Sequence, residues 1–169
     1  MQGPSRTWNL GKSIEGRPLE AQVFAPKSAK SDWPWILLLG GVHGDEVEGV
    51  WLMQAVRERW KDGFPGRSLG AIVFAQVNPD GAAKSQRWNA RGVDLNRNLP
   101  SRDWTAEIKN PKYPPGPSPA SEPENQVLVE LIKRHQPTAI LSAHSFLMLF
   151  RFPFRRLLPL CCFCRSFLI

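Results

Sequence analysis

The chain has 169 residues, 42% hydrophobic and 22% charged, the balance of one soluble globular domain. Its net charge of +7 is concentrated at one end: residues 146–169 hold four arginines and no acid, so no dispersed basic surface for nucleic acid is expected. Cys161, Cys162 and Cys164 crowd into that same stretch, which excludes a disulfide framework, and the opening Met1-Gln2-Gly3-Pro4-Ser5-Arg6 lacks the apolar core of an export signal, giving a cytoplasmic expectation.

Thr7 to Pro26 reads as a hairpin, with Leu19-Glu20-Ala21-Gln22-Val23-Phe24 alternating as a half-buried strand does. A polar connection leads to Trp35-Ile36-Leu37-Leu38-Leu39, whose unbroken apolar run fits a strand covered on both faces. From Glu46 to Lys61 apolar residues recur at Val50, Met53, Val56 and Trp60, predicting an amphipathic helix ended by Gly63 and Pro65. Gly70 to Val77 is a second buried strand, closed by the turn signal Asn78-Pro79-Asp80-Gly81.

The segment from Ala82 to Ala120 has no period and is too long for an idle connection, which makes it a functional loop. Ser121 and Glu124 have capping-box spacing ahead of a helix that carries Val127, Leu128, Leu131 and Ile132 on one face and stops before Pro137. Glu122 and Glu124 read as helix-start residues, and His135 as a partner for the dipole at the helix end. Thr138 to Ala143 is a third buried strand, and the order of elements is that of an α/β protein: a mixed, largely parallel sheet flanked by helices.

Chemistry gathers where strands end. After the first buried strand come Gly40-Gly41-Val42-His43-Gly44-Asp45-Glu46, a sharp turn presenting a histidine and a glutamate. After the third comes His144, and parallel strands deliver their ends to one edge. His43, Glu46 and His144 would form the two-histidine, one-carboxylate set of hydrolytic zinc sites, with Zn²⁺ as cofactor. Between them lies Asn89-Ala90-Arg91-Gly92-Val93-Asp94-Leu95-Asn96-Arg97-Asn98, whose arginines and asparagines suit an anionic, peptide-like substrate. Asp94, beside two arginines, reads as the carboxylate that orients them.

The ordered motifs H-x-x-E, R-G-V-D-L-N-R-N and Ser-Ala-His-Ser resemble those of the zinc carboxypeptidases of the carboxypeptidase A type, over about Thr7 to Ser145. The segment Pro115-Gly116-Pro117-Ser118-Pro119-Ala120-Ser121-Glu122-Pro123-Glu124 is similar to a compact bacterial branch, the murein peptide amidases. The resemblance implies zinc on His43, Glu46 and His144, a substrate carboxylate held by Asn96 and Arg97, and Arg91 near the scissile carbonyl. It implies a peptide substrate with a free carboxylate and, for that branch, cleavage between D-glutamate and diaminopimelate.

The domain is expected over residues 1–145, with 146–169 an atypical hydrophobic, basic tail that fits no helical or strand period. The resemblance places a general-base glutamate late in the chain, yet the last acid here is Glu130. The tail therefore reads as an out-of-frame or replaced ending, with a bilayer-surface segment and a packed natural tail as alternatives. The corresponding alternatives to an impaired hydrolase are an inactive zinc- or peptide-binding module and an unstable truncated fragment.

Overall fold

A computed structural model describes residues 5–26, 33–66, 68–145 and 148–151. Six strands form one mixed sheet: β1 (Arg6–Lys12), β2 (Pro18–Phe24), β3 (Trp35–Leu39), β4 (Gly70–Phe74), β5 (Ala139–Ala143) and β6 (Met148–Arg151), in the spatial order β1-β2-β4-β3-β5-β6. The central β4-β3-β5 block is parallel, and β2, β1 and β6 extend it with antiparallel pairings. Helices are α1 (Val47–Lys61), the short α2 (Pro79–Ala83) and α3 (Pro123–His135).

The uninterrupted apolar strands follow from burial on both sides. Leu37, Leu39, Ile72 and Phe74 face Leu128 and Leu131 of α3 together with Leu95 and Leu99 of the long loop. Leu38, Ala71 and Val73 face the other way, onto Met53 of α1 with Val56 and Trp60 at its margin. Alternation is absent from the sequence because both sets of positions are apolar.

Several local expectations are corrected. The turn expected at Asn78–Gly81 is the start of α2: Asn78 accepts from the Gly81 amide at 2.8 Å and Pro79 occupies the first turn, which are helix-start devices as well as turn signals. β4 ends at Phe74, short of the expected Val77, although the Val77 amide still bonds the Gly40 carbonyl. The capping box at Ser121 and Glu124 does not form. Glu122 is the N-cap, Ser121 Oγ donates to its carboxylate at 2.7 Å, and Glu124 is drawn inward to Asn89.

His135 is packed and no dipole partner: its ring stacks on Trp8 at 5.0 Å and meets Trp35 at 5.5 Å, and burial, followed by the nearby Arg134 charge, lowers its pKa away from the cationic form. A strand, β6, occupies part of the stretch expected to have no period, pairing Met148 with Ala143 and Arg151 with Ile140. The linker at 27–32 and the cysteine-bearing residues from 152 onward lie outside the described residues. Among the described residues no helix is long and apolar enough to cross a membrane.

Candidate metal centre

β3 and β5 are neighbours in parallel register, with Leu39 opposite Ser142, so the segments that leave their C-terminal ends emerge side by side. Gly41, at φ +58, turns the chain after β3 and sets His43 inside the fold at 2% exposure. Glu46 is the N-cap of α1. Gly49 lets that helix approach β5: a Cβ there would lie 2.4 Å from the Ala143 carbonyl oxygen, so only glycine permits the contact that carries Glu46 toward His144.

The result is a compact cluster. His43 Nδ1 lies 2.9 Å from Glu46 Oε1, His144 Nδ1 lies 2.5 Å from Glu46 Oε2, and the imidazole centroids are 4.9 Å apart. Among the described residues these three side chains form the one group able to hold a metal ion, with a ligand atom from each within 4.8 Å of the others.

A metal fits them on a specific observation. His43 Nε2 faces Asp94 Oδ1 at 3.3 Å, which fixes its proton there and leaves the Nδ1 lone pair directed at the Glu46 carboxylate. That buried nitrogen has no hydrogen-bond partner. Two acceptors facing each other at 2.9 Å need a cation between them, either a proton or a metal.

The electrostatics agree. Burial works to raise the Glu46 pKa, but its close contacts with His144 and His43 outweigh burial and bring it from 4.5 to about 2. Burial likewise opposes charge on His43, and the neighbouring carboxylates of Asp94 and Glu46 reverse this and raise it. Asp94, buried at 0% exposure, is held below the ordinary carboxylate range because His43 and Arg87 outweigh its burial.

Arg91 does not join the cluster. Its side chain is 59% exposed and its Nη1 lies 3.8 Å from Glu122, whereas the Arg87 side chain, 18% exposed, donates from Nε to Asp94 at 2.9 Å and brings Nη1 within 3.9 Å of Glu46. The cause is the turn between them. Asn89 Oδ1 accepts from the amides of Arg91 and Val93, Gly92 takes φ +74, and the chain reverses so that the two arginines leave in different directions.

Sequence reasoning passed over Arg87, whose only signal was its place seven residues ahead of Asp94. Asp94 does orient an arginine, as expected, but that arginine is Arg87, and the carboxylate also holds His43.

Asn96 and Arg97 line a cleft of about 310 Å³, together with Trp104, Lys109 and Tyr113. Tyr113, the one tyrosine of the chain, has the guanidinium of Arg87 over its ring at 4.9 Å and that of Arg97 at 5.5 Å, linking cleft and metal cluster.

The loop that carries these groups is held by buried amides. Asn98 donates to the carbonyls of Pro115 and Ser118 and to Ser121 Oγ, while its own oxygen accepts from Asn125 and the Glu122 amide. Glu122 and Glu124 sit at the helix start as expected, but both are fully buried, and Asn89 donates to each.

Comparison with known proteins matches this arrangement. A sequence profile described as zinc carboxypeptidase matches residues 3–157. Murein peptide amidase A of Escherichia coli K12 is 35% identical over 153 residues, covering 84% of this chain and 60% of the relative. The crystal structure of murein-tripeptide amidase from Escherichia coli O157 superposes with a TM-score of 0.61 at 31% identity, over 85% of this chain and 62% of that one.

Carboxypeptidase A from Helicoverpa armigera shares the fold, with a TM-score of 0.72 at 22% identity over 85% of this chain and 41% of its own. The chain thus spans about 60% of the length of the curated amidase that it matches. With its motifs, its mixed sheet and its His–Glu–His cluster in agreement with that profile, the chain belongs to the zinc carboxypeptidase family.

Proposed function

We propose that the chain binds zinc through His43, Glu46 and His144 and that its site is built for hydrolysis of a peptide amide bond next to a free carboxylate. The observation that carries this reading is the unpartnered His43 Nδ1 facing Glu46 across 2.9 Å, with His144 closing the set. Zinc in such a set keeps an open position and supplies Lewis acidity to a carbonyl.

The chain's own residues do the rest. Arg87, fixed by Asp94, offers Nη1 to a carbonyl oxygen that gains charge in the transition state, the role the sequence had suggested for Arg91. Asn96 and Arg97, on the cleft wall, take the substrate carboxylate. The murein peptide amidases among the relatives support a cell-wall peptide as substrate; the D-glutamate to diaminopimelate bond is the one that the family resemblance implies.

Residues 131–169 contain no aspartate or glutamate, so no carboxylate base follows the third ligand within these residues. The test is hydrolysis of a murein tripeptide and of its C-terminal amide by the zinc-loaded chain. The reading expects cleavage of the free acid, abolished by chelation and absent with the amide; equal handling of both peptides would overturn the carboxylate assignment.

A further inference from the structure

We propose that Ser142 is a positioning residue for the metal centre, a hydroxyl that lets His144 exchange its tautomer as metal binds. The inference rests on the zinc reading above and deepens it.

Ser142 and His144 are two apart at the end of β5, so in an extended chain their side chains leave on the same side, while Ala143 between them points to the opposite core, beside Gly49 of α1. Ser142 Oγ lies 3.2 Å from His144 Nε2, and the other ring nitrogen, Nδ1, lies 2.5 Å from Glu46 Oε2. The imidazole is therefore held at both nitrogens, by a carboxylate on one side and a hydroxyl on the other.

These two partners differ in what they can do. An ionised carboxylate only accepts, so the short contact to Glu46 requires the proton on His144 Nδ1, and Nε2 must then accept from the serine hydroxyl. When Nδ1 instead gives its lone pair to a metal, the neutral ring carries its proton on Nε2, and Nε2 becomes the donor. A hydroxyl serves both states, because it turns from donor to acceptor by rotating about one bond.

The contrast with His43 is instructive. Its outer partner is Asp94, which only accepts, so the neutral ring of His43 carries its proton on Nε2 and presents Nδ1 to the metal. His43 is pre-set and His144 is switchable, and the residue that makes the switch inexpensive is Ser142. An apolar side chain there would leave the Nε2 proton of the metal-bound form without an acceptor in a part-buried site.

The experiment compares the full chain with Ser142→Thr, Ser142→Val and Ser142→Ala. Thr and Val have the same shape and both suit a strand, so they differ at this position only in the hydroxyl. Zinc affinity is measured by competition with a chromogenic chelator, and folding of each metal-free variant is checked by circular dichroism. Histidine side-chain ¹⁵N shifts are recorded for the parent with and without zinc.

We expect Ser142→Val and Ser142→Ala to bind zinc about 10–100-fold more weakly, Ser142→Thr to match the parent, and the His144 proton to move from Nδ1 to Nε2 on zinc binding. Parent-like affinity in Ser142→Val, equal weakening in Ser142→Thr and Ser142→Val, or an unmoved His144 proton would each overturn the proposal. If Ser142→Ala does not fold, the Thr and Val pair decides alone. A parent that binds no zinc would overturn the metal reading and this proposal with it, whereas a zinc-binding parent matched by Ser142→Val would overturn the proposal alone.

Discussion

At the scale of the residue, the arginine that the sequence singled out and the one that it passed over have different fates. Arg87 and Arg91 flank the same Asn89 turn, but only Arg87 is tethered by Asp94 and brought to Glu46. Arg87→Ala should lower kcat by about 10²-fold, the cost of removing one oxyanion donor, while Arg91→Ala leaves it unchanged. Equal losses in the two variants, measured on the free-acid tripeptide, would restore Arg91 to the role its position in the motif suggested.

The metal-free cluster also has a distinct pH signature. Glu46 is depressed from 4.5 to about 2, so its stabilising contribution is complete above 4.5 and is lost as the pH falls from there toward 2. His43 is raised above 6.5, so its contribution is complete below 6.5 and fades as the pH rises through the raised value. Both shifts describe one set of contacts and count once.

Zinc requires neutral imidazoles, so stabilisation by the metal should instead grow as the pH rises past 6.5. Thermal melts from pH 4 to 8, in chelator and in zinc, should show opposite slopes above about 6.5. The same slope in both, or no change in the chelator profile of Glu46→Gln, would contradict the assignment.

At the scale of the element, the site depends on how closely α1 is laid against β5. Gly49 is the point of contact, and a methyl group there meets backbone rather than a flexible side-chain end. Gly49→Ala should cost about 1–3 kcal/mol of stability and, by moving the start of α1, should weaken zinc binding as well. A helix-surface glycine would behave in the opposite way: replacement by alanine would stabilise, and metal affinity would stay the same.

This dependence marks where the sequence was legible and where it was not. The strands β3, β4 and β5 were visible as apolar runs, and the members of the His–Glu–His cluster were visible because each follows such a strand. The glycine contact was not, since it pairs residues distant in sequence and only the packed geometry reveals it. The same limit applies to Glu122 and Glu124. Their place at a helix start was legible, but carboxylates are seldom fully buried, and nothing local announced that Asn89 and Asn98 would draw the helix start into the core.

Arg87 was missed because the spacing of a motif says nothing about the sense of a turn. The strand β6 was missed because its four residues sit in a stretch dominated by phenylalanine and leucine, where no period stands out.

At the scale of the molecule, the sheet acts as a platform with the chemistry at one edge. Two apolar layers clamp the parallel strands, and the loop from Lys84 to Glu122, tied down by Asn89 and Asn98, lays Arg87, Asp94, Asn96 and Arg97 beside the strand ends. Metal bound there is linked to folding of the whole domain. At a free zinc concentration of 100 times Kd it should add about 2.7 kcal/mol, and the midpoint of thermal unfolding should rise by several degrees.

The most direct test of the account is the zinc content of the purified chain after dialysis, beside His43→Ala, Glu46→Ala and His144→Ala. The account predicts one zinc per parent chain and loss of tight binding in every variant. A parent that retains no zinc, or a variant that keeps the full complement, would contradict it.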